Sequence, residues 1–154
     1  MSEVQKSAAV YRRKEHYFVH ARSRTSAGFW VASVPARLLP LKSSVEELGA
    51  AVMEALSASA YGVQTPSRDE HRELHAPLLA IAKVRSWSTL QRSAALCNVM
   101  QSAGGIVVEP TRNGGSSGDE RGYHPLSDQS SLVDARLGPN NLGVAVVAAF
   151  ERCC

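Results

Sequence analysis

Two stretches of this chain read as the same helix. ELGAAVMEALSAS, Glu47 to Ser59, and NLGVAVVAAFERC, Asn141 to Cys153, both open on Leu-Gly and run to a bulky apolar residue and a polar tail. Leu48, Val52, Ala55 and Leu56 recur as Leu142, Val146, Ala149 and Phe150 at a constant offset of 94. In each copy this spacing gathers the apolar residues on one helical face. Two such one-sided helices need an apolar layer to cover, and a sheet supplies one.

The segments upstream of each helix read as that sheet. Ser7 to Arg12 alternates weakly and ends at a turn-like Lys14-Glu15, and His16 to Ala21 (HYFVHA) is rich in aromatic and β-branched residues. RSRTSAG, Arg22 to Gly28, reads as a polar loop before the strand Phe29 to Val34, which Pro35 should break. Leu38-Leu39 gives a further short strand. In the second half Leu96 to Gln101, a glycine turn and Ile106 to Glu109 repeat the strand pattern. NGGSSGDERG, Asn113 to Gly122, is expected as a long flexible loop, and GYHPLS and SLVDARL take the place of FWVASV and LLPLK.

Helix boundaries are marked as well. Ser44 and Glu47 have the spacing of a capping box, and Pro139 sits at the first position of the last helix. Between the halves, Pro66 opens a polar helix, Pro77 should break or kink it, and SWSTLQR adds one more helical turn. The expected fold is α/β: a two-layer sandwich of a mostly antiparallel sheet with helices packed on it. It is one domain, 1–154, with similar β-rich halves at about 6–60 and 93–153 and a helical connection at about 66–92.

Bulk properties set the compartment. Hydrophobic residues at 44% and charged residues at 20% suit a globular domain, and a net charge of +3 does not by itself argue for nucleic acid. The longest apolar run, Val144 to Phe150, falls far short of the roughly 18 residues a membrane helix needs. The N-terminus lacks the pattern of a signal peptide, and three cysteines form no disulfide framework. A soluble, cytoplasmic protein is expected, with no membrane partner.

Catalytic patterns are weak throughout. His71 and His75 stand at i and i+4 beside Glu70 and Glu73, but the cluster departs from H-E-x-x-H and reads better as a solvated helical face. The glycine-rich loop lacks the Gly-Lys-Ser/Thr of a phosphate loop. No G-x-S-x-G elbow occurs. Cys97 reads as a small core hydrophobe and Cys153 and Cys154 as frayed terminal thiols. The expectation is no enzyme, no catalytic residue, no metal and no cofactor. An alternative is a small nucleic-acid-binding module, built on the basic and aromatic residues from Tyr11 to Arg24.

YFVHA, LKSSVEELGAAVMEALSAS, SWSTLQRSAALCNVMQSAGGIVVEPT and LGPNNLGVAVVAAFERC together resemble the CdiI family, the immunity proteins of bacterial contact-dependent growth inhibition systems. The resemblance implies a bacterial cytoplasmic protein that binds and neutralises, one to one, the C-terminal toxin domain of a CdiA protein. Such toxins are very often nucleases, with tRNA a frequent substrate. Many nuclease inhibitors are acidic and gain association rate by steering, whereas this chain is net basic. Its densest acidic groups, Asp69, Glu70 and Glu73, and Asp119 and Glu120, are the candidate toxin-binding residues.

Overall fold

A computed structural model describes residues 5–154, the side chains of His71 and Arg72 excepted. The chain runs β1 (Lys6–Arg13), β2 (His16–Thr25), β3 (Trp30–Pro40), α1 (Val45–Ala58) and β4 (Tyr61–Val63). Then come α2 (Arg68–Ala82), α3 (Trp87–Ser93), β5 (Ala95–Ser102) and β6 (Gly105–Asn113). β7 (Tyr123–Pro125), β8 (Ser131–Val133) and α4 (Pro139–Phe150) complete it, with short 3-10 turns at Ser127–Gln129 and Ala135–Leu137.

The sheet has the order β3-β2-β1-β5-β6-β7, with β4 added parallel to β2 and β8 antiparallel to β6. β1 and β5 pair antiparallel at its centre, Val10 opposite Cys97. Each half therefore builds outward from its own first strand, and α1 and α4 follow the outer strands back over the same face.

Strand alternation sends one set of side chains to that face. Ala8, Val10, Tyr17, Val19, Cys97, Val99, Ile106 and Val108 meet Leu48, Val52, Leu56, Leu142, Val146 and Phe150 in one buried core. Burying each large apolar side chain there is worth about 1.5–3 kcal/mol. The shared Leu-Gly has a steric reason. A Cβ on Gly49 would collide with the carbonyl of Pro139 and lie 2.9 Å from the Gly143 amide. A Cβ on Gly143 would collide with the carbonyl of Val45 and lie 3.0 Å from its Cα. The two helix backbones touch at their first turns, and the two contacts are related by the same offset of 94.

The connecting helices lie on the other face. Ala9, Tyr11, Phe18 and Leu96 point there and meet Leu78, Ala82, Leu90 and Ala94. The sandwich of sheet and paired helices thus carries a second, partial helical cover behind it.

Three local expectations differ from the structure. β3 runs past Pro35 as a single edge strand, where a missing N–H costs no ladder bond. Its register with β2 slips between His20 and Ala21, leaving Val34 and Pro35 bulged out. α2 continues through Pro77, whose ring is exposed. β2 extends to Thr25, so Arg22 and Arg24 are strand residues and not loop.

Candidate functional site

The second face carries most of the unusual chemistry. On it Tyr11 stacks on His20 with ring centroids 5.8 Å apart and meets Trp87 and Tyr123 edge-on, each at 6.0 Å. His75 of α2 lies 4.5 Å from Trp87 of α3. Tyr11, His20, His75 and Trp87, with Arg22 and Trp30, line a cleft of about 230 Å³ between the helices and β2–β3. Two wider depressions of about 610 Å³ lie by β-hairpin ends, with fewer converging side chains.

Local folding places each of these groups. The end of α1 is tied to β2: the Ser7 amide donates to Ser59 Oγ at 3.0 Å, and that hydroxyl donates to the Arg22 carbonyl at 2.5 Å. Arg22 then reaches across β1, and its Nη1 donates to Asn98 Oδ1 at 2.8 Å. Asn98 Nδ2 donates to Glu109, which also accepts from Ser127 Oγ at 3.0 Å. Among the described residues no carboxylate lies within ion-pair distance of Arg22. Its half-buried guanidinium is held by the neutral Asn98 amide and the Tyr11 hydroxyl.

His20 Nδ1 sits 2.8 Å from the Ala21 carbonyl and must donate to it, since a carbonyl only accepts. Burial pulls its pKa down to about 4, with the Arg22 and His75 charges acting the same way against that hydrogen bond. The ring is neutral at pH 7. Tyr11 is pushed up by burial, partly offset by Arg22.

At the end of the sheet the Arg24 guanidinium lies over the Trp30 ring, 5.8 Å from its centroid. Phe29 and Tyr61 expose 65% and 63% of their surface there. Trp, Tyr and Arg around a cleft are the residue types that anchor protein interfaces. The signal was present in RSRT and FW, but only a strand reading puts Arg22, Arg24 and Trp30 on one face.

The acidic candidates flank this face. Asp69, Glu70 and Glu73 are exposed on the first turns of α2, the helix that brings His75 to the cleft. Glu70 is engaged: Ser67 and Glu70 form a full capping box, and those hydrogen bonds hold its carboxyl below the usual range. Asp119 and Glu120 stand on the loop before β7, at the far end of the sheet order from α2, so the two groups do not form one patch. Glu120 pairs with Arg112 at 3.0 Å, and its carbonyl accepts from His124 Nε2 at 2.7 Å. The loop itself is cinched, the Gly114 amide donating to the Gly122 carbonyl at 2.8 Å and Gly122 to Gly115 at 2.9 Å.

Other candidate residues take structural places. Tyr11, Tyr17 and Phe18 are 5% exposed or less, so none is free to stack on a base. His75 packs on Trp87, and the side chain of His71 lies outside the described residues. No helix is long and apolar enough to cross a membrane among the described residues.

No curated protein matches the chain. Its fold is similar to that of a solved protein of unknown function from Neisseria meningitidis, at a TM-score of 0.79 and 17% identity, covering 100% of this chain and 98% of that one. It is equally similar to a chain of the CdiA-CT/CdiI toxin and immunity complex from Yersinia pseudotuberculosis, at a TM-score of 0.79 and 16% identity over 99% and 100% of the two chains. The family described as "CdiI: CDI immunity protein" matches residues 6–153, and the chain belongs to that family.

Proposed function

We propose that this chain is the cytoplasmic immunity protein of a bacterial contact-dependent growth inhibition system. It binds the cognate C-terminal toxin domain one to one and neutralises it, as a binding protein without cofactor. The carrying observation is the family match over nearly the whole chain. The toxin is a nuclease on this reading, with tRNA as its first candidate substrate. Chain 1–154 acts as one domain whose two similar halves form the scaffold.

The toxin docks on the face that carries α2 and α3. The cleft between Trp30, His75 and Trp87 offers a place for a partner side chain, and Arg22 offers an acidic one a charge. Asp69 and Glu73 on α2, and Asp119 on the loop before β7, steer basic groups of the toxin, acting on association rate more than on final affinity. Glu70 and Glu120, already hydrogen-bonded or ion-paired within the chain, share that role through their remaining lone pairs.

The test is co-expression with the toxin domain encoded beside this gene. Growth should be restored, and the purified pair should elute as one complex of one chain each. Unprotected cells together with two separate peaks would remove the immunity reading. The docking face is tested separately: Trp30→Ala should weaken the complex about 30-fold. Val144→Ser, on the exposed side of α4, should leave affinity unchanged. The reverse pattern would move the interface to the other face.

A further inference from the structure

The C-terminal tail is docked and not frayed. The Cys154 amide donates to the Thr111 carbonyl at 3.2 Å, and the Asn113 amide donates to the Cys154 carbonyl at 2.9 Å, so the tail lies along β6. This sets Cys153 Sγ 3.8 Å from the buried Cys97 Sγ of β5. Two sulfurs fifty-six positions apart are thereby in van der Waals contact inside the sheet–helix core.

Their surroundings differ in a useful way. Cys153 is half-buried, while Cys97 is fully buried. The Arg12 guanidinium lies 5.0 Å above the Phe150 ring, and Arg152 is held by the Gln129 carbonyl and Ser131 Oγ, each at 3.1 Å. A hydrogen bond from the Cys97 thiol, the Thr111 amide and these two cations pull the Cys153 pKa down to about 7, against its burial. The hydrogen bond to Cys153 and burial push Cys97 up and keep it a thiol. A partly exposed thiolate beside cations is the setting in which cysteines react.

We propose that Cys153 is a hydroperoxide-reactive thiol and that Cys97 resolves its sulfenic acid into an internal disulfide. The Cys153 thiolate attacks one peroxide oxygen, the O–O bond breaks, and the departing alkoxide or hydroxide takes a proton from water. Cys97 sulfur then attacks Cys153 Sγ, the S–S bond forms and the S–O bond breaks. The leaving hydroxide takes the Cys97 proton and departs as water. The two thiols lose two electrons and the peroxide gains them. The sulfurs, 3.8 Å apart in the reduced chain, must approach to about 2.05 Å in the bridge. Cys154 is the competing partner, but bridging adjacent cysteines strains the peptide bond between them.

Treatment of the full chain with hydrogen peroxide, followed by alkylation and tryptic mass spectrometry, tests this. The expected product is peptide 93–112 joined to the terminal dipeptide 153–154, lighter by two hydrogens than the reduced pair. Cys154→Ser should form the same bridge through Cys153. Cys97→Ser should form none, and dimedone should then label Cys153. The bridged wild type should melt about 5–10 °C higher, and dithiothreitol should reverse the rise. A Cys153–Cys154 bridge alone, or a peptide 93–112 that stays free after peroxide, would overturn the proposal.

Discussion

The two faces of the sheet are built to different rules. Under α1 and α4 the contact is apolar, and glycines bring the helix backbones into touch. Under α2 and α3 the layer is aromatic and polar, with a neutral histidine, a guanidinium held by the Asn98 amide and a cleft. A face of the first kind defines a scaffold. The second kind gathers Trp, Tyr and Arg side chains around a cleft, the residue types enriched in interface cores, and the proposed docking rests on it.

Phe150→Ala should break the scaffold face most severely. Its ring is 1% exposed and packs 5.6 Å from Tyr17 by centroid, so the loss should be about 3–5 kcal/mol in urea unfolding. An equally stable variant would show that this face is not the core.

The opposite face should make stability sensitive to acid. His20 titrates at about 4 in the folded chain against 6.5 for the free residue, so the unfolded chain takes up the proton first as pH falls. His20 therefore costs nothing at pH 7, and stability declines as pH drops from 6.5 toward 4, by about 3 kcal/mol in all. His20→Gln should remove that part of the slope in denaturant titrations across this range. Identical slopes in the two proteins would mean that His20 is not held neutral.

Gly143→Ala sharpens the contrast, because one methyl group must push two helix backbones apart. It should cost about 1–3 kcal/mol, while Gly62→Ala, where a Cβ meets nothing within 4 Å, should show only backbone strain from φ +78°. The smallest effect belongs to Arg37→Ala. The Arg37–Glu54 pair is close, at 2.6 Å, but both side chains are about half exposed, so its loss should fall within about 0–1 kcal/mol.

Much of the scaffold was legible locally. HYFVHA and IVVE are strands by composition, and the Leu-Gly helices announce themselves by period and by offset. Ser44 caps α1 as its spacing suggests, accepting from the Glu47 amide at 3.1 Å. RSRT reads as loop from its polar residues alone. It is strand because Arg24 pairs with Trp30 across the next turn and with Tyr61 far along the chain. Ser67 and Glu70 have capping-box spacing in the sequence, and the structure commits Glu70 to that cap.

The contact of Cys97 with Cys153 had no local signal at all. The same holds for the cleft, whose walls come from β1, β2, β3, α2 and α3. The sequence by itself determined the family, the helices and most of the strands, because periodicity and capping act over a few residues. Only the tertiary structure decided which face packs under α1 and α4 and which gathers the aromatic rings and Arg22 around a cleft. Burial, the desolvation of His20 and the encounter of two thiols depend on which strands become neighbours, and the pairing of β1 with β5 sets that.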